Sequence, residues 1–252
     1  MTVRIAMWSG PRNISTALMR SWDARGDCGV SDEPLYAHYL QETKLDHPGA
    51  DEVIESYPTD WHVVCDELCG PAPAGKSLWY QKHMAHHLLS HIERDWMEDV
   101  RHCFLIRDPA DVVASYAKRR DEVSLRDLGY IELIEIFNFV TDDLDQAPII
   151  IDSRDLLMNP ASVLRRLCRE LEVGYTDKML SWEPGLRPSD GIWAKHWYSS
   201  VETSTGFSPY EQHEANYPDR LEPLVSEARE YYQVLWEQRL LPQGKPDVSD
   251  WT

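Results

Sequence analysis

The chain has 252 residues, enough to bury a sizeable core in one large α/β domain or two small ones, and the continuous run of elements favours one domain over 1–252. Lysine plus arginine number 25 against 43 aspartate plus glutamate, a net charge of −18, which argues against nucleic acid or an anionic membrane as partner. Any anionic ligand must therefore be held by a local basic pocket.

The first element is an apolar run, Ile5 to Trp8, bounded by Ser9, Gly10 and Pro11, as expected of a central strand in a parallel sheet. Beyond it Ile14, Ala17, Leu18, Ser21 and Trp22 recur at the spacing of a helix face that packs on a sheet. Arg12, Asn13, Ser15 and Thr16 then sit at a helix start, where unpaired N–H groups and the helix dipole favour an oxyanion. The competing reading is an ordinary strand-to-helix turn with Ser/Thr capping.

Cys28 to Ser31 is a second strand running into Asp32, Glu33 and Pro34, which puts a carboxylate at a strand's C-terminal end, the edge where open parallel sheets hold ligands. An acidic insertion follows over about residues 42–77, with one short helix from about Ala50 to Ser56. Its last part, Gly70 to Ser77, reads GPAPAGKS and matches the nucleotide P-loop pattern letter for letter. That motif works only after a strand and before a helix, whereas a strand follows here, and its two prolines remove N–H donors, so a connecting loop is expected.

Leu78 to Gln81 is the third strand, with Lys82 and His83 at its end and a histidine-bearing helix after it. His83, His87 and His91 lie four apart, either as one metal-binding face or as part of a solvated helix; no carboxylate at ligand spacing completes a set, which favours the latter. His102 to Ile106 is a fourth strand, followed by Arg107, by Asp108 as a helix cap and by Pro109 at the first helical position. Leu125 to Leu144 has the pattern of one long amphipathic helix, Ile149 to Ile151 of a last strand, and Asn159 with Pro160 opens a helix through Leu171. Over about residues 182–217 periodicity fails and aromatic residues crowd a Gly/Ser/Pro-rich stretch, as in a functional flap; a helix from Pro218 to about Leu240 follows. The alternation predicts a three-layer, doubly wound, mainly parallel sheet of about five strands, with Arg12, Glu33, His83 and Arg107 converging along one edge.

No stretch of about 18 apolar residues exists and no secretion signal precedes the first strand, so a soluble cytoplasmic protein is expected. The five cysteines are odd in number and scattered, consistent with reduced thiols and no structural zinc.

These residues resemble the sulfotransferase family, a variant of the P-loop nucleotide-binding architecture whose donor is 3'-phosphoadenosine 5'-phosphosulfate (PAPS). Pro11-Arg12-Asn13-Ile14-Ser15-Thr16 is similar to the family's 5'-phosphosulfate loop, although Ile14 replaces a glycine and is not expected to take positive φ readily. Arg107-Asp108-Pro109 with Asp111, Val112 and Ser115 resembles the 3'-phosphate motif, in which the arginine and the serine eight residues later grip that phosphate. Lys82-His83 resembles the Lys-Thr-His region of cytosolic members, with Gln81 at the strict lysine position, and Gly191, Trp193, His196 and Trp197, with Arg187 upstream, resemble the flap over the nucleotide. Ala17 stands where cytosolic members carry an adenine-stacking tryptophan, and Ser153 near a frequent tyrosine.

The resemblance implies in-line sulfuryl transfer to a hydroxyl or amine of a small molecule, with no metal. Arg12 would stabilise the leaving oxygen, and Arg107 and Ser115 would position the donor. His83 is the expected base and Glu33 the acceptor-orienting residue, a plain pairing of Glu33 with Arg12 or Lys82 being the competing reading. A P-loop kinase using GPAPAGKS and a non-catalytic nucleotide-binding module remain as alternatives, and a homodimer is left open.

Overall fold

A computed structural model describes residues 2–118, 122–211 and 216–242. Five strands, β1 Val3–Ser9, β2 Cys28–Asp32, β3 Leu78–Met84, β4 Arg101–Ile106 and β5 Ile149–Asp152, form one sheet in the order β2-β3-β1-β4-β5. Every pairing is parallel. All five expected strands are therefore present, and the connections carry α-helices except that from β3 to β4, which carries two 3₁₀ turns.

Side chains alternate across the sheet and divide the core in two. Ile5 and Met7 of β1, with Cys103 and Leu105 of β4, pack on one face against Leu18, Met19 and Trp22 of the helix Ser15–Asp23 and against Val163, Leu164 and Leu167 of the helix Pro160–Glu170. Ala6, Trp8, Phe104 and Ile106 face the other way, onto Val112 and Val113 of the helix Pro109–Ala117 and onto the helices Tyr130–Asn138 and Glu222–Glu237. Burial on both faces is why β1 reads as an unbroken apolar run. The helix after β1 and the helix after β4 lie on opposite faces, so the C-terminal end of β1 is a topological switch point, where open α/β sheets form a crevice.

Three expectations are corrected. The acidic insertion contains a second helix, Trp61–Cys69, capped by Asp60, whose Oδ1 accepts from the His62 N–H at 2.9 Å. Its inward residues Val64, Cys65 and Leu68 are core, so the acidic residues are the outer side of a packed helix. The expected long helix over 125–144 is broken into Leu125–Leu128, Tyr130–Asn138 and a π-turn Phe139–Asp143, divided at Gly129, whose φ is 72°. Lastly, β3 continues to Met84, held between β1 and β2, and is followed by a 3₁₀ turn, Ala85–His87, in place of a helix. His83, His87 and His91 consequently share no helix face, and the described residues contain no metal-binding cluster.

GPAPAGKS forms the turn into β3 at the N-terminal edge of the sheet, with Lys76 Nζ donating to the Gly26 carbonyl at 2.5 Å. It opens no helix, as expected. The five cysteines are unpaired, with burial pushing the Cys28 and Cys65 thiols up to about 12. No described helix is long and apolar enough to cross a membrane.

Candidate active site

The loop after β1 is held in an unusual backbone conformation. Arg12 has φ 64° and Ile14 φ 59°, and for a β-branched residue the left-handed region is strained. The expectation that isoleucine would avoid positive φ is thus overturned, because the surroundings over-determine the loop. Asn13 is buried and donates through Nδ2 to the Leu105 carbonyl of β4 at 3.1 Å, while Ser153 Oγ donates to the Ile106 carbonyl at 2.6 Å and reaches the Asn13 carbonyl at 3.3 Å. Both side chains anchor the loop to the sheet.

On the loop's other side a Cβ on Gly129 would stand 3.3 Å from Gly10 Cα, and a Cβ on Gly10 would overlap the Leu128 carbonyl oxygen. The close approach requires glycine at position 10. Gly10→Ala is accordingly expected to cost about 2 kcal/mol and to lower Tm by roughly 4 to 8 °C. An unchanged Tm in thermal denaturation would show that loop and turn part freely.

The strained loop feeds a helix whose N-cap is Ile14 and whose N-terminus carries no side-chain cap and no acidic residue in the first turn. The Ser/Thr-capping reading therefore fails. Left-handed residues two apart beside uncapped helix N–H groups are the arrangement that makes a concave anion site. Around it, Arg12 Nε donates to Ser115 Oγ at 2.9 Å, and Arg107 Nη1 donates to the Arg12 carbonyl at 2.9 Å with its Nε 3.5 Å from Asp111 Oδ2. Pro11, Arg12, Asn13, Ile14, Ser15, Thr16, Ala17, Arg107 and Ser115 all line one cavity of about 280 Å³.

The chain matches the family model described as the sulfotransferase domain over residues 3–237. It belongs to the sulfotransferase family. Its fold is also that of solved family structures: the sulfotransferase from Alicyclobacillus acidocaldarius superimposes with a TM-score of 0.56 at 11% identity, covering 95% of this chain and 98% of that one. The sulfotransferase domain of the Synechococcus PCC 7002 olefin synthase gives 0.51 at 16% identity, covering 92% and 95%. Two curated proteins of Arabidopsis thaliana, branched-chain-amino-acid aminotransferase-like proteins 2 and 1, are each 35% identical over 232 residues, 92% of this chain. The chain spans only 41% of their length.

The cavity's far wall is a buried charge cluster at the ends of β2 and β3. Lys82 Nζ donates to Asp32 Oδ1 at 2.8 Å, to Glu33 Oε1 and to the Tyr198 hydroxyl at 3.0 Å. Burial disfavours the Lys82 ammonium, but Asp32 and Glu33 outweigh it and hold its pKa well above the lysine value. Glu33 is pushed above the ordinary carboxylate value, first by burial, against the attraction of Lys82 and with the help of the Asp32 charge. The pairing of Glu33 with Lys82 that the competing reading named is present, and Glu33 lines the cavity as well.

His83 is the main correction. It lies inside β3, so the alternation that turns Lys82 into the cavity turns His83 onto the opposite face. There it stacks on Trp8 at 4.4 Å, with Trp96 at 5.7 Å, and burial pushes its pKa down to about 3. A ring so placed cannot reach a group in the cavity.

The flap is also rearranged. Trp193 is buried against Tyr36 and Tyr57 at 5.1 and 5.3 Å, and Arg187 pairs with Asp23 at 3.2 Å; neither lines the cavity. Trp197 of the expected flap does line it, and the short helices Ala194–Trp197 and Ser199–Glu202 add Tyr198, Ser200 and Val201. Residues 212–215 of the expected flap lie outside the described residues. Sequence patterns also missed Tyr36, His86 and His87 as lining residues, and Asp32 as a partner of Lys82. The Asp32-Glu33-Pro34 strand end was the one local signal for the last.

Proposed function

We propose that the chain transfers the sulfuryl group of PAPS to a hydroxyl or amine of a small-molecule acceptor by in-line displacement. The observation that carries this reading is the uncapped helix start at Ser15, curled around by left-handed Arg12 and Ile14 and flanked by Arg107 and Ser115. The loop N–H groups, Ser15 and Thr16 take the sulfuryl oxygens. Arg12 stabilises the charge that builds on the bridging oxygen of the leaving nucleotide, while Arg107 and Ser115 receive the 3'-phosphate.

Glu33 is the base in this scheme. The acceptor oxygen or nitrogen forms its bond to sulfur as the bond between sulfur and the phosphate oxygen breaks, and the acceptor proton passes to a Glu33 oxygen. Its raised pKa brings the carboxylate closer to the basicity the step needs. Tyr36, Trp197 and Tyr198 give the acceptor side of the cavity flat apolar walls.

The test is differential binding by thermal shift. The 3',5'-bisphosphate nucleotide is expected to raise Tm without divalent metal, whereas ATP with magnesium is not. Arg107→Ala should weaken the bisphosphate by about 2 to 4 kcal/mol, because a charge-assisted contact is lost. Lys76→Ala, at the wrong end of the sheet, should leave its affinity unchanged. A response to ATP and magnesium alone would sink the proposal and revive the kinase alternative.

A further inference from the structure

The two carboxylates at the end of β2 are not equivalent. Asp32, with a side chain 1% exposed, accepts from Lys82 Nζ at 2.8 Å, from the Tyr198 hydroxyl at 2.7 and 2.6 Å to its two oxygens, and from the Gly191 N–H at 3.1 Å. Glu33 takes its hydrogen bond from Lys82 at Oε1, its Oε2 lies 3.9 Å from His87 Nδ1, and the residue lines the cavity. The groups around Glu33 are thus Asp32 beside it, Lys82 from β3, His87 from the turn after β3 and Tyr198 from the covering segment.

One ammonium confronts two carboxylates in a site shielded from water. A single cation can balance only one of them well, and the carboxylate with fewer other donors is the one that binds a proton more readily. Two of the three donors on Asp32 come from the segment 191–198, separated from it by 159 and 166 residues of chain. That segment also supplies Trp197 and Tyr198 as cavity walls. The Tyr198 ring lies 5.5 Å from Lys82 Nζ, so the ammonium is enclosed from that side as well.

We propose that Asp32 and Tyr198 are positioning residues: the Tyr198 hydroxyl and the Gly191 N–H hold Asp32 as the fixed partner of Lys82, which leaves Glu33 as the carboxylate that accepts the acceptor's proton. The inference rests on the reading of Glu33 as base. It makes seating of the segment over the cavity and readiness of the base one event, since the same tyrosine does both.

Carbon-13 NMR of side-chain carboxyl groups, in the full chain labelled at aspartate and glutamate, reads the titration of Glu33 directly, with Glu33→Gln identifying its signal. Asp32→Asn removes the competing negative charge and leaves Lys82 to Glu33 alone, so the Glu33 midpoint is expected to fall by about one pH unit or more, at least tenfold in proton affinity. Tyr198→Phe keeps the ring but leaves Asp32 one donor short and drawing harder on Lys82. The Glu33 midpoint is then expected to rise by about half a pH unit, roughly threefold.

A purely structural role would lower Tm in both variants and move neither midpoint, and that result overturns the proposal. Should Asp32→Asn not fold, Tyr198→Phe decides alone, because it deletes one hydroxyl. Release of the bisphosphate from the donor by Glu33→Gln at the wild-type rate would overturn the base reading, and the proposal with it. An inactive Glu33→Gln with unmoved midpoints would overturn the positioning role only.

Discussion

Glu33→Gln is expected to lower kcat by roughly 10²- to 10⁴-fold, with affinity for the bisphosphate nucleotide retained. The substitution keeps shape and a hydrogen-bond acceptor for Lys82 but removes the group that can take a proton. Donor affinity should survive because the proposed donor contacts lie elsewhere, on the loop after β1, at Arg107 just after β4 and at Ser115 in the helix Pro109–Ala117. His83→Ala should behave in the opposite way. His83 is a core ring stacked on Trp8 at 4.4 Å, and its removal leaves a cavity between Trp8 and Trp96 costing about 3 kcal/mol, while the folded protein keeps its kcat. Turnover and denaturation of the two variants side by side check this. Loss of turnover in His83→Ala at unchanged Tm, with Glu33→Gln active, would return the base to His83.

Stability is expected to fall by several kcal/mol between about pH 7 and pH 5. Burial pushes His83 down to about 3 and His86 and His102 down to about 4, and drives His87 well below the ordinary histidine value of 6.5. His102 shows why the neutral form is built in. Its Nε2 donates to the Met97 carbonyl at 2.9 Å and its Nδ1 accepts from Trp8 Nε1 at 3.0 Å, so a second ring proton would break a buried bond. Folded values below the unfolded one mean that the unfolded chain binds more protons. The stability tied to these rings is therefore present above about pH 6.5 and is lost as pH falls toward their folded values, at about 2 kcal/mol for each neutral ring by pH 5.

Three carboxyls oppose the trend. Burial pushes Asp152 up to about 6 and raises Glu33 and Glu132, and a folded acid that binds its proton more readily gains stability as pH falls. Asp152 acts between its folded value of about 6 and its ordinary 3.8, offsetting only about 1 kcal/mol by pH 5. Four rings against three carboxyls leave a net loss. Urea denaturation at about pH 7, 6 and 5 measures it, and a flat profile would mean that the rings are protonated equally in both states.

The strands, their parallel pairing, the helix after β1 and the cap-and-proline start after Arg107 were legible in the amino-acid order. Each depends on local information: an apolar run buried on both faces, a 3.6-residue stripe, or a side chain that caps its own backbone. The two arginines of the cavity were legible for the same reason, because Arg107 directly follows β4 and Arg12 comes three residues after the end of β1. Three-dimensional structure alone decided what local pattern does not carry. Three more paired residues in β3 sent Lys82 to the cavity and His83 to the core, since each step along a strand reverses the face. Gly129 divided an apparently continuous helix because of its approach to Gly10, more than a hundred residues earlier. The cluster of Asp32, Lys82 and Tyr198 joins side chains 50 and 166 residues apart, and such a pairing leaves no periodic trace because chain folding, not neighbouring sequence, brings the charges together.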